Sequence, residues 1–112
     1  MKGIITLCGS TKFKKEFGYL KYWLTMNDYI YLSVGSYHHS ESNESVRNTI
    51  IANKELLDRL HKEKISMSDG VIIIDVNGYI DESTKSELDF AERNNKRIYY
   101  WGNQSYLNLG VK

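Results

Sequence analysis

Two short stretches of the chain hold polar residues in arrangements that chemistry can use. The first is Cys8-Gly9-Ser10-Thr11-Lys12, small residues that close an apolar run. A tight turn of this kind leaves backbone N–H groups exposed at a helix start. There the positive helix end faces an anion, and the Ser10 and Thr11 hydroxyls add donors. The stretch is neither G-x-G-x-x-G nor a P-loop, so it gives no support to a dinucleotide or to an NTP with magnesium. An ordinary helix start after a strand accounts for the same residues. The second stretch runs from Asp75 to Glu87 (DVNGYIDESTKSE). Asp75 falls where a strand should end, Asn77-Gly78 reads as a turn, and Ser83 is placed at a helix cap beside Thr84. Those two hydroxyls could bind a phosphate or merely satisfy the helix. Glu87 is expected one turn inside that helix, where the dipole favours an ionised carboxylate able to act as nucleophile or base.

Other reactive side chains carry less. His38 and His39 are adjacent, so they point differently, and no carboxylate stands at metal-ligand spacing, which leaves a zinc site unsupported. Either could reach over a ligand pocket from its loop. His61 lies between Leu60 and Lys62 beside an apolar stripe. Cys8, at the end of a central strand, reads as a small buried hydrophobe rather than a nucleophile. As the single cysteine it excludes an internal disulfide and a cysteine-only metal cluster, and it fits a reducing, cytoplasmic compartment.

The elements that must position these residues follow from the hydrophobic pattern. Lys2 to Cys8 (KGIITLC) is a β-branched apolar run that predicts a buried strand. Phe13, Phe17, Leu20 and Leu24 recur at helical spacing, and Tyr29 to Val34 predicts a second strand. Residues 35–48 (GSYHHSESNESVRN) are polar without periodicity and read as a loop. Ile50 to Ile65 predicts one long amphipathic helix ending near 66–68. Gly70 to Asp75 (GVIIID) is apolar without alternation, as in a strand covered on both faces of a parallel sheet. A third helix carries Leu88, Phe90 and Ala91, and Lys96 to Trp101 is a fourth strand.

Strands alternating with helices predict βαβ units and an α/β fold, a small flavodoxin-like doubly wound parallel sheet of order 2-1-3-4 with helices on both faces. The order reverses between strands 1 and 3, and ligands in open α/β sheets bind outside the carboxyl ends of the strands at such a point. That rule selects the same two stretches. With 112 residues, one domain spanning 1–112 is expected. The 15 basic and 14 acidic side chains leave a net +1, which argues against a polybasic binder of nucleic-acid polymers or membranes. No apolar run approaches the roughly 20 residues of a membrane span.

An apolar strand ending in Gly9-Ser10-Thr11 resembles the opening of nucleoside 2-deoxyribosyltransferase-like proteins, which include deoxynucleoside 5′-monophosphate N-glycosidases. Leu60 to Ile74 (LHKEKISMSDGVIII), a helix running into an S/A-D-x-V strand, resembles their middle. Gly78 to Leu88 (GYIDESTKSEL) is similar to their closing motif, a small-residue turn before a helix that bears the catalytic Glu. The resemblance covers about residues 2 to 101. It implies cleavage or transfer at the N-glycosidic bond of a nucleoside or its 5′-monophosphate, with Glu87 attacking C1′ of the sugar. It also implies a phosphate held by the 9–12 turn, where Lys12 stands, and by Ser83 and Thr84. Asp75 or Asn77 would meet the sugar or departing base, and His38 would close over the pocket. Where the related N-glycosidases carry an Asp on the helix before strand 3, spacing puts His61, to which an acid–base role would pass. No metal or redox cofactor is implied. Their sites are completed by a neighbouring subunit, so a homodimer or larger homo-oligomer is expected, with Trp101 or Tyr106 as exposed contacts. The alternative is a non-catalytic module whose pocket senses or sequesters a nucleotide-derived ligand.

Overall fold

The computed structural model describes residues 1–33 and 44–110. Four strands, β1 (Gly3–Gly9), β2 (Tyr29–Ser33), β3 (Gly70–Ile74) and β4 (Arg97–Tyr100), form one sheet of order β2-β1-β3-β4. Every pairing is parallel, with Ile5 opposite Tyr31 in β2, Leu7 opposite Ile72, and Ile72 in turn opposite Tyr99. The helices are α1 (Lys14–Met26), α2 (Glu44–Ala52), α3 (Lys54–Met67) and α4 (Glu82–Arg93). The expected α/β class and strand order are therefore present. Among the described residues no helix is long and apolar enough to cross a membrane.

Alternation along β1 and β3 builds two cores. Ile5, Leu7, Ile72 and Ile74 face one side, where Phe17, Leu20 and Leu24 of α1 cover them. Cys8, Val71 and Ile73 face the other, where Ile65 of α3 and Ala91 of α4 cover them. All five residues of β3 are buried, as an apolar run without alternation requires. Gly9 has a packing reason of its own. It pairs with Ile74 across the β1–β3 ladder, and a Cβ there would come within 2.8 Å of the Ile74 Cβ.

Several boundaries differ from the sequence pattern. Glu44 to Asn48, expected in the loop, belong to α2. The segment is polar because its described side chains are exposed, so it offers no apolar stripe to read. The single long helix is two, broken at Asn53, whose side-chain amide and backbone N–H both donate to the Thr49 carbonyl. Asn competes for backbone partners in this way and favours helix ends. Residues 34–43, with His38 and His39, lie outside the described residues.

The C-terminal stretch is a 3₁₀ segment, Ser105–Gly110, that buries Tyr106 and Leu109 in the α1 core. Tyr106 stacks on Trp101 with ring centroids 5.5 Å apart and meets Trp23 edge-on at 5.2 Å. Tyr106 is only 7% exposed, so its expected role as a surface contact between subunits is overturned. The aromatic trio does the work of a second helix on that face. Tyr106→Ala should lower the unfolding free energy by about 3 kcal/mol, and Tyr106→Phe by far less. Urea denaturation with an unchanged slope checks this, and a loss below ~1 kcal/mol for the alanine would show that the segment is not core.

Candidate active site

Glu87 sits where a helix normally carries an apolar residue. Thr84, Glu87 and Ala91 are the buried residues of α4, at i, i+3 and i+7, so the carboxylate lies on the stripe that faces the sheet. The rotation of α4 is set by Asp81, its N-cap, whose Oδ1 accepts from the Thr84 backbone N–H at 2.9 Å and from the Thr84 hydroxyl at 2.6 Å. The cap is thus Asp81 rather than Ser83, because an ionised carboxylate in extended backbone meets the N3 amide better than a hydroxyl two residues on. The helix starts at Glu82, which puts Glu87 in its second turn. The dipole has faded there, and the expectation that it keeps Glu87 charged does not hold. Burial instead pushes the Glu87 carboxyl above its ordinary value. The adjacent His61 pulls it back, and the charges of Asp81 and Asp58 add to the rise.

His61 comes from the inward stripe of α3, which it shares with Leu57, Lys64 and Ile65. Its Nδ1 lies 3.6 Å from Glu87 Oε2, with the two side chains 12% and 7% exposed. At that distance the two groups are in contact but too far apart for a good hydrogen bond. The remaining polar atoms of both groups, His61 Nε2 and Glu87 Oε1, are buried without a hydrogen-bond partner. Buried polar atoms left open in this way are uncommon, and a bound ligand is one way to satisfy them. Cys8, fully buried at the end of β1, is the third neighbour. Burial, and then Glu87, hold its thiol far above its ordinary value, so it stays protonated and is no nucleophile.

Glu87 borders a depression of about 250 Å³ between α3 and α4. α3 contributes Lys54, Asp58 and Lys62, and α4 contributes Glu82, Ser83 and Ser86. Lys54 is held by Asp58 at 3.0 Å. The structure therefore brings together Glu87, His61 and Ser83 of the expected set. Thr84 is beside them, but its donors end on Asp81. No residue of the 9–12 turn lines this depression. In that turn Ser10 Oγ accepts from its own neighbour Lys12 N–H at 3.3 Å, and the Lys12 ammonium rests 3.8 Å from the centre of the Tyr79 ring. Phe13 meets Tyr79 edge-on at 5.9 Å. The loops after β1 and β3 thus touch each other at the switch point, as the strand order demands.

Asp75 is spent on architecture: its Oδ1 accepts from the Gly102 N–H at 2.6 Å and fastens the loop after β3 to the one after β4. Asn77 is exposed in a left-handed conformation (φ 55°) next to Gly78 (φ 80°), which shapes the turn toward Tyr79. Lys54, Asp58, Lys62, Ser86 and the cap Asp81 are the site residues that the sequence reading passes over. The i, i+4, i+8 spacing of 54, 58 and 62 was the signal on α3, and D-x-x-T at 81–84 was the signal for the cap. Among the described residues no three His, Cys, Asp or Glu side chains gather as a metal site. Comparison with family models, with curated proteins and with solved structures finds no match to this chain.

Folded Glu87 keeps its proton to higher pH than it does in the unfolded chain. Between those two titrations the folded state binds more protons, so stability falls as pH rises through that window. Glu87→Gln removes the loss. Measured by denaturation at a series of pH values, the variant should gain on the wild type as pH climbs past the usual carboxylate range and run level with it below. A constant difference at all pH values would show that the folded carboxyl is not desolvated.

Proposed function

We propose that the chain cleaves or transfers the N-glycosidic bond of a nucleoside or nucleotide, with Glu87 as the nucleophile. What supports this is one observation together with the family resemblance. A carboxyl group on the core-facing stripe of α4, in contact with an imidazole, keeps one buried oxygen without a hydrogen-bond partner, and its residue borders a depression. A desolvated carboxylate has lost the water that would blunt its attack, and it gains most when positive charge grows beside it. The oxocarbenium-like carbon of a departing nucleoside is such a charge.

The balance of the reaction is simple. A Glu87 oxygen forms a bond to C1′ as the C1′–N bond breaks, and the electron pair of that bond leaves with the base. The base takes a proton, for which His61 is the nearest donor to Glu87. Water, or the nitrogen of a second base, then attacks C1′ and releases the carboxylate, while His61 accepts the proton that the attacking group sheds. Departure and attack occur on the same sugar face, so configuration is retained overall. The volume of about 250 Å³ suits a sugar ring with part of a base rather than a dinucleotide.

Deoxy- and ribonucleosides and their monophosphates, incubated with the protein and followed by chromatography, should yield free base. Glu87→Gln should lower the rate by at least about 10³-fold, and His61→Asn by about 10²-fold with a flattened pH profile. Release that survives Glu87→Gln removes the carboxylate from the mechanism. Tight nucleoside binding with no release establishes a binding module in place of an enzyme.

A further inference from the structure

The side of α1 that faces away from the core breaks three local rules at once. We infer that a second copy of the chain docks on this side, α1 against α1 in antiparallel sense, about a two-fold axis near Tyr22. α1 covers the face of the sheet opposite to the one that carries Cys8 and α4. The inference therefore stands apart from the glycosidase reading, and the contact lies across the sheet from the α3–α4 depression.

The first broken rule is apolar exposure. Phe17, Leu20 and Leu24 turn toward the sheet, yet Tyr19, Tyr22 and Met26 recur at i, i+3 and i+7 on the outer side, 45%, 64% and 67% exposed. Single exposed apolar residues are ordinary, but three at helical spacing form one stripe. The second is Gly18, one turn before Tyr22 and itself exposed. Glycine weakens a helix interior, and no packing within the chain demands it here, because a Cβ at position 18 would stand in open space. Close approach of another backbone is a reason to keep it. The third is charge. Lys14 and Lys15 outnumber Glu16 at the positive end of the helix dipole, and neither has an ion pair among the described residues. The last turn holds no basic residue, and beyond it comes Asp28, 66% exposed, with the Met1 amine at 3.1 Å. Both ends thus carry the sign that a helix dipole disfavours.

A second α1, run the other way, answers all three together. A two-fold axis at Tyr22 sets residue 18 of one copy opposite residue 26 of the other, because such a contact is self-complementary. Each Met26 side chain then fills the space that the facing Gly18 leaves, and the two Tyr22 rings meet at the centre. The same operation carries Lys15 to the negative end of the facing helix, by Asp28. An unrelated partner would account for the apolar stripe alone. Matching small to large and plus to minus about one point is a property of this chain paired with itself. With 13 residues, α1 is about 20 Å long. A contact of that length is at the small end of specific interfaces, so the dimer is reversible, with a micromolar Kd.

Sedimentation equilibrium of the full chain, from about 1 to 500 μM, reads the association constant. Wild type should pass reversibly from monomer to dimer. Gly18→Leu fills the gap and should weaken the dimer by about tenfold or more. Leucine is the better helix former, so the monomer should keep its Tm and lost association cannot be blamed on misfolding. Tyr22→Glu puts two like charges on the axis and should abolish the dimer. Lys15→Glu should weaken it several-fold at low salt, with the difference narrowing as salt is added. A chain that stays monomeric throughout overturns the inference, whether the face is bare or takes another partner. So does a dimer whose constant is unmoved by both Gly18→Leu and Tyr22→Glu, because the contact then lies elsewhere. Growth beyond the dimer does so too, since an isologous contact closes on itself.

Discussion

One unfavourable placement organises the molecule: a carboxylate and an imidazole held out of water between two helices and a sheet. A buried carboxylate needs partners to offset its lost hydration, and a 3.6 Å contact with His61 beside the weakly polar Cys8 thiol is little to set against it. Oε1 of Glu87 and Nε2 of His61 both remain open. An apolar residue at either position would pack against Cys8, Ile65 and Ala91 at no such cost, and exchanges of this kind often stabilise a protein. Proteins break local rules of this sort at sites where the broken rule has a use. The pair carries the functional argument for that reason, beyond its likeness to a family motif.

The rest of the fold can be understood as what allows the placement. With Cys8, Val71 and Ile73 as a dry floor, α3 and α4 lie side by side on one face of the sheet, turned so that His61 and Glu87 meet. Asp81 fixes the turn of α4 by capping it, and Lys64 ties α3 to the end of β2 through a 2.8 Å bond from its ammonium to the Ser33 carbonyl. The opposite face needs cover that a short chain cannot give with another helix. The 3₁₀ segment provides it, and the Tyr29 hydroxyl donates to the Leu109 carbonyl at 3.0 Å to close the edge.

What could be read from the sequence follows from how much of each element is buried. β3 is covered on both faces and announces itself as an unbroken apolar run; α1 buries Phe17, Leu20 and Leu24 and shows their spacing plainly. From these two and the alternation of elements, the strand order was legible. α2 was not, because its described side chains are exposed and a helix without a buried stripe leaves no period to find. The Asn53 break was hidden for a similar reason: Asn is tolerated inside helices, and only its bond to Thr49 reveals an end. In the site, Glu87 was found from its motif, yet its environment was misjudged. Counting from Ser83 put it near the helix dipole, while the true cap two residues earlier moves it into the second turn and onto the buried stripe. Thr84, Glu87, Leu88 and Ala91 at i, i+3, i+4 and i+7 did carry that information.

The electrostatics of the site have a consistent direction that one residue alone would not show. Burial first, and then the charges of Asp81 and Asp58, raise the energy of a charged Glu87, which reads as a defect for a group that would have to be ionised to attack. The defect exists only in the ground state. In the proposed reaction, the same carboxylates would stabilise the positive charge that develops on the sugar carbon, and the free energy that opposed ionisation would become attraction in the transition state. His61 supplies a partial counterweight, since its ring lies against the oxygen opposite the open one and eases ionisation of the carboxyl. A binding module has no need of this tension, because a ligand would be held more firmly by a site whose charges were already balanced. In the proposed reaction, a carboxyl group discouraged from ionising by its neighbours would be relieved as positive charge grows on the sugar carbon.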